Sequence, residues 1–155
     1  MTDNNRTDSF SNELKASRDV GLIHFHLVNH NTSLKKRGEL INRYLREWNL
    51  TKRGKLLGID RGEAKNVLIR ILTHDLAHDY EIMSEDEALN LVNRFLQFFK
   101  NDARFFTNAE FTSTPDKPVK LVISSWNPLT SATFDTGVFA IDCKKIGLIL
   151  VEDED

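Results

Sequence analysis

Histidines and their acidic neighbours are the residues here whose type and spacing could carry chemistry. His74-Asp75-Leu76-Ala77-His78-Asp79 places two imidazoles four residues apart. On a helix such residues share a face, so both rings could hold one metal ion. Asp75 would be a further ligand or would orient one. The glutamate that would complete the zinc-protease helix motif is missing. The competing reading makes His74, Asp75, His78 and Asp79 the polar face of a helix whose other side carries Leu72 and Leu76. Spaced histidines arise often on helix surfaces, so that reading is preferred, and no metal or other cofactor is expected. In an extended 22–28 segment, His24 and His26 would share one side and Phe25 and Leu27 the other, giving a solvent-facing histidine pair.

No nucleophile stands out. Cys143, the single cysteine, sits in an Asp142-Cys143-Lys144-Lys145 turn with no helix start or histidine placed near it, and reads as a bystander thiol. Gly54-Lys55-Leu56-Leu57-Gly58 has the wrong spacing for a phosphate loop. The chain is therefore expected not to be an enzyme.

Charge is the stronger signal. From Lys35 to Arg70 there are 11 Lys/Arg against 4 Asp/Glu, and from Ile71 to Asp155 there are 7 against 15. Such asymmetry speaks to partners rather than fold. The basic stretch, with a helix expected over 34–48, could hold nucleic acid. Its Tyr44 and Trp48 fall on an apolar stripe and are poor stacking candidates, and a pI near 6.2 argues against a dedicated nucleic-acid binder. The acidic end is Glu152-Asp153-Glu154-Asp155, directly after a strand. With Asp135, Asp142 and Glu110 it could form a negative docking surface for a basic protein, since complementary charge speeds association and sets specificity. The bland reading is that a charged tail protects a sheet edge.

The elements that position these residues follow from periodicity and caps. The chain has 155 residues, 40% hydrophobic and 28% charged, which suits one globular domain. Residues 1–10 are polar and expected to be disordered, leaving a single domain over 11–155. The absence of an apolar leader and the lone cysteine fit a cytoplasmic protein with no membrane association. Ser11 starts one helix, and 20–28 fits either a helix or a strand. Ser33 precedes a helix with Ile41, Tyr44, Leu45 and Trp48 on one face. Asp60 with Glu63, and Ser84 with Glu87, have capping-box spacing. They predict helices running to about Asp79 and Lys100, the second with Met83 stapled onto Ala88. After Asn101 the pattern becomes extended, with a two-proline turn over 114–118 and β-branched runs at 119–126, 133–141 and 146–151. The expectation is an α+β domain, N-terminal helices packed on a C-terminal four-stranded antiparallel meander.

Trp126-Asn127-Pro128-Leu129-Thr130-Ser131-Ala132-Thr133-Phe134-Asp135-Thr136-Gly137-Val138, together with Val151-Glu152-Asp153-Glu154-Asp155, resembles the C-terminal ends of immunity proteins from bacterial contact-dependent growth inhibition systems. The resemblance covers about the last 35 residues of the sequence. It implies a protein that neutralises a cognate toxin, a basic nuclease domain, by direct contact. Asp135, Asp142, Glu152, Asp153, Glu154, Asp155 and Glu110 are the expected contact residues. The His74-Asp75 pair also resembles that of metal-dependent phosphohydrolases, but the other metal-binding histidines of that family are not at matching places.

Overall fold

The computed structural model describes residues 3–51, 55–114 and 121–155. In chain order these form α1 (Asp3–Ser17), β1 (Leu22–Asn29), a single 3-10 turn (Leu34–Lys36), α2 (Arg37–Glu47), β2 (Leu57–Ile59), α3 (Arg61–Thr73) and α4 (Glu85–Leu96). Five strands follow: β3 (Arg104–Thr107), β4 (Ala109–Ser113), β5 (Leu121–Trp126), β6 (Phe134–Ile141) and β7 (Lys145–Asp153). The class is α+β. The two-proline turn and Val119, like Lys52, Arg53 and Gly54 of the basic run, lie wholly or largely outside the described residues.

The sheet is not a four-stranded C-terminal meander. It has five strands in the order β1-β7-β6-β3-β2, every neighbouring pair antiparallel, while β4 and β5 form a separate two-stranded ribbon. The cause lies in β7, whose Ile146, Leu148, Ile149, Leu150 and Val151 are all fully buried. A strand apolar on both faces must be central, so β1 from the N-terminal half pairs along its whole length, Leu22 opposite Glu152 and Asn29 opposite Lys145. Gly137 in β6 permits this density, since a Cβ there would lie 2.6 Å from the Ile149 carbonyl oxygen.

Helices cover both faces. Val138, Ala140, Ile149 and Val151 join Leu68, Ile71, Leu91 and Phe95 in the larger core, under α1, α3 and α4. Phe139, Ile141, Ile146, Leu148 and Leu150 meet Leu40, Ile41, Tyr44 and Leu45 of α2 in the smaller one. This double burial explains the ambiguity of 20–28. In β1, Ile23, Phe25 and Leu27 face the larger core while His26 and Val28 face α2, so hydrophobic alternation is blurred.

Local signals hold at the starts of α3 and α4 but not of α1 and α2, which begin at Asp3 and at Arg37 rather than after Ser11 and Ser33. Asp60 accepts from the Glu63 N–H and Glu63 reaches back to the Asp60 N–H, a complete capping box. Ser84 accepts from the Glu87 N–H, and Met83 and Ala88 share the core. The helix ends differ from expectation. α3 stops at Thr73 rather than Asp79, because the Asp75 carboxylate accepts from the His78 N–H at 2.6 Å and turns the chain. The reversal is closed by Ile82 N–H to the Thr73 carbonyl and Asp75 N–H to the Tyr80 carbonyl. α4 likewise ends at Leu96.

Residues 3–10, expected to be disordered, are helical, since α1 begins at Asp3. A single narrow stripe holds this helix: Phe10 and Leu14 are buried, with Phe10 ringed by Phe25, Phe95 and Phe98 at 5.0–6.5 Å. Replacing Phe10 by alanine is expected to lower unfolding free energy by about 3–5 kcal/mol in urea titration. A loss below about 1 kcal/mol, the level of an ordinary surface change, would mean that α1 is not docked.

Candidate functional site

The expected docking acids divide sharply by burial. Asp135, Asp142 and Asp153 are 0%, 1% and 1% exposed, which corrects their assignment as partner contacts. Each is spent within the molecule. Asp153 grips Arg18 through both oxygens, at 3.0 and 2.7 Å, and also accepts from the Leu76 N–H. Arg18, itself buried, donates further to the carbonyls of Ile71 and Val20. Gly21, at φ +69°, fits here because a Cβ would lie 2.2 Å from an Asp153 oxygen.

Asp135 accepts from the backbone N–H groups of Leu129 and Thr130 and from the Thr130 hydroxyl, fixing the Asn127–Thr130 loop. Asn108, between β3 and β4, donates to Asp135 and to the Asn127 carbonyl while accepting from Gly137. Asp142 gathers the N–H groups of Lys100, Lys144 and Lys145. Burial raises the Asp142 pKa, but these three donors and the Lys100 charge prevail and hold it below the usual carboxylate range. Among the described residues, no buried side-chain nitrogen or oxygen lacks a partner.

The remaining acids stay at the surface. Glu152 is partly buried and pairs with His24. Glu154 accepts from the Thr133 hydroxyl at 2.6 Å, and Asp155, 76% exposed, lies 3.7 Å from His78. Glu110 is on the ribbon and accepts from Ser125.

His74, Asp75 and His78 do not share a helix face, because α3 ends before them. His74 contacts the Thr73 hydroxyl through Nδ1, Asp75 is buried in its own turn, and His78 is exposed. Among the described residues, no group of three or more His, Cys, Asp or Glu side chains could hold a metal ion. His26 lies flat on Trp48, rings 4.5 Å apart and 5° from parallel. Tyr44 is buried in the smaller core, and Trp48, just after α2, packs on Tyr44 and His26, so both rings are engaged within the molecule. Cys143 is a free, exposed thiol.

A further site emerges between the β4–β5 ribbon and the end of α3. Leu76, Val122, Ile123, Trp126, Phe134, Thr136 and Arg70 line an open cleft of about 90 Å³. The Asp135 cluster holds the loop after β5, and half-buried Trp126 stands 5.1 Å from Phe134. Val122 is 48% exposed. Arg70, one of the lining residues, pairs with exposed Asp79. The tail acids are exposed, Asp155 near His78 and Glu154 bonded to Thr133. Sequence reading singled out Trp126 and the tail but missed Leu76, Val122, Arg70 and Asp79. The cleft joins three segments, and only the apolar Val122 in an otherwise half-exposed strand hinted at it.

Comparison with family models, curated proteins and solved structures finds no match. No helix among the described residues is long and apolar enough to cross a membrane.

The His26 environment gives a pH prediction. Burial first, then neighbouring His24 and Lys15, lowers the His26 pKa from 6.5. The folded state thus favours the neutral ring. Its contribution is complete above pH 6.5 and is lost as pH falls below that value toward the folded pKa. Urea midpoints should fall on acidification through this window. His26→Phe, which keeps a ring on Trp48, should flatten the fall, and an unchanged slope would remove His26 as its source.

Proposed function

We propose that this protein is an immunity protein that neutralises a cognate toxin, a basic nuclease domain, by direct contact in the cytoplasm. The observation that supports this reading best is the cleft itself: a hollow lined by Trp126, Phe134, Val122 and Ile123, whose Arg70 pairs with exposed Asp79, in a protein whose Glu154 and Asp155 carboxylates are also exposed. Aromatic side chains at the centre of a patch, half-buried and fixed before binding, are the usual carriers of interface energy. Exposed charge contributes partner choice and association rate. The contact surface is thus Val122, Ile123, Trp126 and Phe134 with the exposed acids. Asp135 and Asp153 support it from within, through the loop after β5 and the turn that carries Leu76.

The test is binding to the toxin domain encoded next to this gene. Val122→Asp should weaken the complex by about 30-fold or more, the scale of an interface hot spot. Neutralising Asp79, Glu154 and Asp155 together should slow association and flatten its salt dependence. Unchanged affinity in both variants would reject the surface. Failure to bind any neighbouring gene product would reject the role.

A further inference from the structure

We infer that β1 pairs edge to edge with β1 of a second copy of this chain, joining two five-stranded sheets into one across a two-fold axis at Phe25. This surface is separate from the cleft, so the inference does not rest on the docking reading. β1 ends the sheet on one side and β2 on the other. β2 is only three residues long, which itself guards against stray pairing. β1 has no such device. Its eight residues include no lysine, arginine, aspartate, glutamate or proline. All eight pair with β7 in unbroken register, from Leu22 opposite Glu152 to Asn29 opposite Lys145, with no bulge to twist the edge away. A long, regular edge of this composition is a template for another strand.

The ladder with β7 fixes which backbone groups point outward. His30, just after the strand, donates its N–H to the Lys144 carbonyl at 2.7 Å. The His26 carbonyl oxygen also points at β7, 3.1 Å from where a Cβ on Gly147 would lie. Bonded and non-bonded positions alternate along an antiparallel pair, so the even-numbered residues of β1 bond to β7. Ile23, Phe25 and Leu27 therefore turn their N–H and C=O groups away from the sheet. Among the described residues, none of these groups has a hydrogen-bond partner. The strand is accessible along its length: Leu22 is 56% exposed and residues 24–28 are all half-buried, beside a β7 that is buried almost throughout.

Symmetry selects the occupant. A two-fold axis perpendicular to the sheet sets residues of the same face opposite one another, so the strand can be its own complement. With the axis at Phe25, Ile23 meets the partner's Leu27, Phe25 meets the partner's Phe25, Leu22 meets the partner's Val28 and His24 meets the partner's His26. Every apolar side chain then faces an apolar one, the pairing that stabilises sheets. The outward groups of Ile23, Phe25 and Leu27 all find partners. Moving the axis one residue either way sets a histidine against Leu22 or Val28. The joined sheet ends in the short β2 on both sides, so assembly closes at two copies.

The test is sedimentation equilibrium of the full chain from micromolar to millimolar concentration. The average mass should exceed 17.8 kDa and approach twice that value. Leu22→Lys changes an exposed side chain, so it should leave the urea midpoint unchanged. It should weaken association by about tenfold, since the two-fold repeats the mismatch with Val28 twice. For the register, chains carrying Leu22→Cys and Val28→Cys, each also Cys143→Ser, are mixed and oxidised. Non-hydrogen-bonded pairs lie about 4.5 Å apart at Cα, within disulfide reach. The mixture should cross-link readily, whereas Leu22→Cys alone should not. A mass of 17.8 kDa at every concentration overturns the inference. So does association that Leu22→Lys leaves unchanged, or cross-linking of Leu22→Cys alone as fast as the mixture, since either places the contact elsewhere.

Discussion

Arg18 and Asp153 form a salt bridge with almost no access to water, 0% and 1% exposed, between residues 135 positions apart. Taking both charges out of water is costly, and only full satisfaction makes it tolerable. That condition is met: the guanidinium also reaches the carbonyls of Val20 and Ile71, and the carboxylate also takes the Leu76 N–H. The end of α1, the end of β7 and the turn after α3 therefore have one compatible arrangement. The same turn carries Leu76 and Asp79, so a buried charge pair fixes one wall of the cleft.

The rest of the scaffold repeats this device with neutral and charged hydrogen bonds. Asn108 and Asp135 close the junction where the chain leaves β3 for the ribbon, and Asp142 closes the β6–β7 turn onto the end of α4. Each buried acid sits where chain direction changes and backbone N–H groups would otherwise lack partners. The hydrophobic layers supply the driving force, and these acids decide which loops can form around them.

What could be read along the chain was what local interactions decide. The starts of α3 and α4 follow from caps and period within one turn of helix. β1 pairing with β7 could not be read this way, because it joins distant segments and both faces of each strand are covered. The His74–His78 spacing misled because a helix was extended through Asp75, whose side chain makes a competing turn. Asp153 was hidden in a run of four acids. Its alternation was nevertheless available: Ile149, Val151 and Asp153 occupy the same face of β7, and Phe10, Leu14 and Arg18 repeat at helical spacing of four. Continuing each stripe by one step would have pointed a buried acid at a buried base. The cleft left little local trace, since its walls come from α3's turn, β5 and β6.

The acidic end thus has two roles: Asp153 is buried within β7, while Glu154 and Asp155, past the end of the strand, stay exposed. Inward acids stabilise the fold and outward ones shape the surface potential. Urea unfolding of Asp153→Asn beside Asp155→Asn tests this most directly. The account predicts a loss of about 3–5 kcal/mol for the first, which leaves the Arg18 charge buried and unpaired. For the second it predicts a change within about 0.5 kcal/mol. Equal, small effects from both substitutions would contradict it.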